Sequence, residues 1–166
     1  MSIENPTFAA GDLLFYLSQG DMLGWLIATW TRSPFIHVAI CLDETYKVEA
    51  VQSGVQKALI RGNDYNTLGS HWQLQANSKD HDPIDLSEAL SWLQGMVGQS
   101  YGIQDFLTNA NPFEKFFYVV SPLHYDCSAL ATQFLVKAGG VNLCGYDLDP
   151  HTVTPADLAT CLGVKG

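Results

Sequence analysis

Cys127 is the residue in this chain best placed to do covalent chemistry. After Asp126, the residues Leu130, Ala131, Phe134, Leu135 and Ala138 recur at helical spacing, and Gly139-Gly140 close the run. The spacing predicts a helix capped by Asp126, with Cys127 in its first turn. Unpaired amide N–H groups and the helix dipole stabilise a thiolate there, and the thiolate is the nucleophilic form of cysteine. The alternative is a buried packing thiol, because a lone Cys is among the most buried residue types.

A thiolate nucleophile needs a base, and the chain offers five histidines: His37, His71, His81, His124 and His151. Of these, only His37 sits inside a well-marked strand. Ile36, Val38, Ile40 and Leu42 alternate with His37, Ala39 and Cys41, and a second alternating run follows Asp43-Glu44-Thr45, with Tyr46, Val48 and Ala50 set against Lys47, Glu49 and Val51. If those three residues form the hairpin loop, Leu42 opposes Tyr46, Ala39 opposes Glu49 and His37 opposes Val51. His37 and Glu49 then become diagonal neighbours on one sheet face, about 7–8 Å apart at the backbone. At that reach a carboxylate can hold the imidazole in one tautomer and favour its charged form. A loop one residue longer or shorter would put the two on opposite faces. The competing reading is a structural His beside a Glu that points at solvent.

Several elements must position these groups. Leu13 to Leu17 reads as a buried strand, and Met22, Leu23, Leu26, Ile27 and Trp30 as one face of a short helix. The His37 hairpin follows, then strands over 54–60 and 71–76. Asp85 and Glu88 form a capping-box pattern ahead of a helical face of Leu86, Ala89, Leu90, Leu93 and Val97. After an aromatic stretch, Phe113 to Tyr118, comes the Cys127 helix; Thr154-Pro155 opens a last short helix with Pro at its first position. The more apolar hairpin face, Ile36, Val38, Ile40, Leu42, Tyr46 and Val48, is a candidate core side, although helices could cover either face. The fold class expected is α+β, a small antiparallel sheet packed against helices, in one domain spanning 1–166.

Composition narrows the partners. With 47% hydrophobic and 15% charged residues over 166 positions, the chain is neither disordered nor a coiled coil. Its formal charge of −9, with no run of Lys or Arg, gives nucleic acid no basic face. No secretory signal is read at the N-terminus, which gives a cytoplasmic expectation, and the apolar 22–30 stretch is too short to span a bilayer, which takes ~20 residues. The four cysteines, Cys41, Cys127, Cys144 and Cys161, form no Cys-x-x-Cys pair, so free thiols are expected, with a Cys144–Cys161 disulfide left open. None of the histidines shows metal-ligand spacing with the cysteines, so neither metal nor cofactor is expected.

Taken together, these segments resemble a known family. Gly11-Asp12-Leu13-Leu14-Phe15, Ser33-Pro34-Phe35-Ile36-His37-Val38-Ala39-Ile40, Val48-Glu49-Ala50-Val51 with Gly54-Val55, Tyr125-Asp126-Cys127-Ser128-Ala129-Leu130 and Thr154-Pro155-Ala156-Asp157-Leu158 resemble the circularly permuted NlpC-type papain-like cysteine hydrolases, in the YiiX-like branch. The resemblance implies a papain-like fold in permuted order, His strand first and Cys helix last. It implies Cys127 as nucleophile, His37 as base and Glu49 as the orienting residue, where many ordinary members carry a second His. It also implies an oxyanion-hole contribution from the Cys127 backbone N–H. Tyr125 either lines the substrate pocket or packs.

The expected activity is cysteine-dependent amide hydrolysis, in a cell-wall (peptidoglycan) peptide, through a thioacyl-enzyme. Two other readings stay open. One is a lipid-directed acyl hydrolase or acyltransferase of the lecithin retinol acyltransferase type, with the 22–30 helix resting on a membrane. The other is a non-catalytic binding or structural protein on the same scaffold. The charge of −9 offers no attraction to anionic lipid, which ranks a small peptide or amide substrate above a phospholipid.

Overall fold

The computed structural model describes residues 7–18, 28–29, 33–51, 53–61, 64, 68–74, 86–99, 122–139 and 153–165, with side chains from 127 onward in the segment that begins at 122. Among these, five strands form one antiparallel sheet: β1 (Leu13–Leu17), β2 (Phe35–Cys41), β3 (Tyr46–Val51), β4 (Gly54–Leu59) and β5 (Leu68–Trp72), in spatial order β4-β3-β2-β1-β5. The strand carrying His37 is thus the middle one. Three helices accompany the sheet: α1 (Leu86–Met96), α2 (Pro122–Lys137) and α3 (Pro155–Cys161). The fold is α+β.

The β2–β3 hairpin shows how local chemistry fixes register. Asp43 Oδ1 accepts from the backbone N–H of Thr45 at 2.7 Å and of Tyr46 at 2.8 Å, an Asx turn that closes the loop. Leu42 N then donates to the Tyr46 carbonyl at 2.8 Å, and the ladder pairs Cys41 with Lys47 and Ile40 with Val48. This is the register expected from the alternation.

Helix α2 packs on β2 and β3, α3 on β2 and α2, and α1 on α2. Between helices and sheet lies the main core, with Leu13, Phe15, Val38, Ile40, Val48, Leu130, Phe134 and Leu158 all essentially inaccessible. The opposite sheet face is also covered: Leu14, Tyr16, Ala39 and Cys41 pack with Phe8 from the leader, and with Ile60 and Leu68. The apolar face is therefore the helix side, as expected, but its reverse is not a solvent face. This explains why Lys47 and Glu49 are buried.

Two elements differ from expectation. The fifth strand is Leu68–Trp72 rather than 71–76. An apolar alternation through Trp72, Leu74 and Ala76 suggests the later span, yet β1 pairs with Leu68, Ser70, His71 and Trp72, with a register shift at Gly69. Gly69 makes that approach feasible, since a Cβ there would lie 2.5 Å from Leu17 Cγ and 3.0 Å from the Phe35 ring. Second, α2 begins at Pro122 and not at Asp126. Proline is well tolerated in a first turn, and Ser121-Pro122 repeats the Thr154-Pro155 pattern that marks α3. At α3 the expected start holds, with a capping box between Thr154 and Asp157. Of the 22–30 helix, only Ala28 and Thr29 are described, both helical; the rest, with Asp85 and 113–118, lies outside the described residues. Among the described residues no helix is long and apolar enough to cross a membrane.

Candidate functional site

His37 stands directly after an irregularity in β2. Tyr16 pairs with His37 and Leu17 with Phe35, so Ile36 is an extra residue and β2 bulges beside the histidine. Bulges bend a strand and re-aim the neighbouring side chain. The imidazole Nε2 donates to Glu49 Oε2 at 3.0 Å, and the Tyr16 ring lies 5.6 Å from its centroid. Its second neighbour is Cys127, whose sulfur interacts with His37 through charge and a side-chain hydrogen bond. With Nε2 committed to Glu49, Nδ1 is the nitrogen left for the sulfur.

Electrostatics follow from this crowding. Burial by itself pushes the His37 imidazole down, but the charge and hydrogen bond of Cys127, and then those of Glu49, outweigh it and raise the ring to about 9. For Glu49, burial pushes the carboxyl up; the hydrogen bond and charge of His37, the charge of Lys47 and the Gln56 hydrogen bond prevail and lower it to about 2. Across neutral pH the pair is therefore imidazolium and carboxylate.

Cys127 is fully buried on α2 and is not part of a disulfide. Because α2 starts at Pro122, Cys127 is its sixth residue, and the dipole effect has largely decayed past the first turn. The expected activation by the helix terminus does not hold at this distance; His37 is the electrostatic partner instead. The same shift places the Cys127 N–H beyond the unpaired first turn of the helix, so it is not a spare oxyanion donor. Ser128 Oγ donates to the Val153 carbonyl and ties α2 to the approach to α3.

The structure thus brings Cys127, His37 and Glu49 together. The side chains of Tyr125 and His124 lie outside the described residues, as do His81, His151 and Cys144. His71 is elsewhere, donating to Asp12 Oδ2 at 2.7 Å and lying edge-on to Phe8. Cys41 is a free, buried thiol pushed up to about 12, first by desolvation and then by Asp12 and Asp43. Cys161 is disulfide-bonded, against the expectation of free thiols. Among the described residues no group of three or more His, Cys, Asp or Glu could hold a metal ion.

Sequence reasoning missed the groups behind Glu49. Gln56 Nε2 donates to Glu49 Oε1 at 2.9 Å, and Lys47 Nζ lies 3.2 Å from Glu49 Oε2. The available signal was parity: Lys47 is two residues from Glu49 and so shares its face. Compared with known proteins, the chain matches no family model, no curated protein and no solved structure.

Proposed function

We propose that the protein is a cysteine-dependent hydrolase that cleaves an amide bond in a small peptide, with a cell-wall peptide as the substrate class, on a papain-like scaffold in permuted order. The observation that carries this reading is the line Cys127–His37–Glu49, a thiol, an imidazole and a carboxylate in succession. That is the nucleophile, base and orienter arrangement of covalent acyl transfer.

In this reading Cys127 and His37 meet the substrate as a thiolate–imidazolium pair, and the thiolate attacks the amide carbonyl. A C–S bond forms, the carbonyl electrons move to oxygen, and their return expels the amine, which takes the proton from His37. The thioester left on Cys127 is hydrolysed by a water whose proton passes to His37, releasing the acid and restoring the thiolate–imidazolium pair. Glu49 remains a carboxylate throughout and stabilises the imidazolium. The sequence order, β2 with its histidine before α2 with its cysteine, is what the permuted papain-like assignment rests on.

The test is incubation of wild type and Cys127→Ala with muropeptides in one panel and short-chain acyl esters and phospholipids in another, read by mass spectrometry. Cys127-dependent cleavage of a peptide amide is expected. Cys127-dependent fatty-acid release with every peptide intact would replace it with the lipid reading, and no Cys127-dependent product in either panel would favour a binding scaffold.

A further inference from the structure

The carboxylate that orients His37 is itself held from behind. The Lys47 side chain is only 7% exposed, and a buried ammonium has three N–H donors to satisfy. Three oxygens surround its Nζ: Asp64 Oδ1 at 2.6 Å, the Tyr16 hydroxyl at 3.2 Å and Glu49 Oε2 at 3.2 Å. Asp64 is anchored in turn, its Oδ2 accepting from Arg61 N at 2.6 Å. The Tyr16 ring adjoins both cations, 4.8 Å from Lys47 Nζ and 5.6 Å from the His37 ring centroid.

We propose that Lys47, anchored by Asp64, is a positioning residue of the site, fixing the Glu49 carboxylate and setting how strongly it holds the His37 ring. The inference rests on reading Cys127, His37 and Glu49 as catalytic. Glu49 Oε2 faces both His37 Nε2 and Lys47 Nζ, so the two cations share one oxygen. A carboxylate free of Lys47 would hold the imidazolium more tightly and slow its proton transfer. Lys47 in turn divides its charge between Glu49 and Asp64, so Asp64 limits how far Lys47 neutralises Glu49. Packing alone gives no reason for the Glu49–Lys47–Asp64 cluster, because well-packed apolar residues commonly replace a whole buried ion-pair cluster at no loss of stability. Among the described residues, the titratable and charged groups around this centre are Tyr16 from β1, His37 and Cys41 from β2, Lys47 and Glu49 from β3, Asp64 after β4, and Cys127 from α2.

The experiment is an NMR titration of histidine ring carbons in the full chain, with the His37 signal assigned by its loss in His37→Ala. Lys47→Met is expected to raise the His37 midpoint by about half a unit or more, and Asp64→Asn to lower it by a similar amount, as removal of a nearby cation and a nearby anion should. Mere loosening of the fold would shift both variants the same way, toward the solvent value. Unmoved midpoints, or shifts of one sign in both variants, would overturn the proposal. Should Lys47→Met not fold, Lys47→Gln deletes the charge, retains two N–H donors, and is read identically. Iodoacetamide selectivity for Cys127 in the wild type is scored alongside. Selective labelling with unmoved midpoints defeats only the role of Lys47, whereas unselective labelling defeats the catalytic reading beneath it.

Discussion

His37 and Glu49, twelve residues apart in the chain, meet through Nε2 and Oε2 at 3.0 Å. The contact is a product of hairpin register. The Asp43 turn sets Cys41 against Lys47, and from that pairing onward strand alternation leaves His37 and Glu49 on one face. A carboxylate fixed to one ring nitrogen leaves the other to serve the sulfur of Cys127.

The first prediction concerns turnover of whichever substrate the product screen identifies. Cys127→Ala and His37→Ala should each remove activity by about 10³-fold or more, because nucleophile and base act as a unit. Glu49→Gln should cost about 10–100-fold, since an amide can still accept from the ring without stabilising its charge. Steady-state rates, with circular dichroism to verify folding, check this; near wild-type activity in His37→Ala would remove His37 from the mechanism.

The second concerns pH. The His37 ring is raised from its ordinary 6.5 to about 9, so its pairing stabilises the fold fully below about 6.5 and is lost as pH rises through about 9. Glu49 is lowered from 4.5 to about 2, so its contribution is present above about 4.5 and is lost as pH falls through about 2. Melting temperature in the wild type should therefore fall as pH rises from about 6.5 to about 9. The loss should be smaller in Cys127→Ala, because Cys127 is the largest of the groups raising His37. An unchanged alkaline slope in Cys127→Ala would contradict the assigned cause.

How much of this could be read from sequence depends on whether the cause was local. The hairpin was legible because Asp43 and the strict alternation on either side of it act over a few residues. The α2 stripe was legible through Leu130, Phe134 and Ala138, but its start was not, since Asp126 looks like a cap and the signal at Pro122 is weaker in isolation. The roles of Lys47 and Asp64 were hidden for another reason. A charged residue on a strand ordinarily faces water, and this face is closed by Phe8, Ile60 and Leu68, brought in from distant parts of the chain. Strand β5 was misplaced because close approach of Gly69 to Leu17, a tertiary fact, outweighed the apolar pattern further on.

The third prediction tests the anchor at the start of β1. Asp12 is buried and accepts from Ala9 N at 2.9 Å, Leu74 N at 3.2 Å and His71 Nε2 at 2.7 Å. Asp12→Ala strands the buried Leu74 N–H and loosens the part-buried contacts to Ala9 and His71, and should destabilise the fold by about 1–3 kcal/mol. Urea denaturation measures it; a change below about 1 kcal/mol would show that Asp12 is not a structural tie.

The central claim, that Cys127 is a nucleophile activated by His37, is tested most directly by brief treatment with limiting iodoacetamide near neutral pH and mass spectrometry of the modified peptides, in wild type and His37→Ala. Cys127 should be labelled ahead of Cys41, whose thiol is pushed up to about 12, and its labelling should slow by about tenfold or more without His37. Labelling of Cys41 first, or a Cys127 rate indifferent to His37, would contradict it.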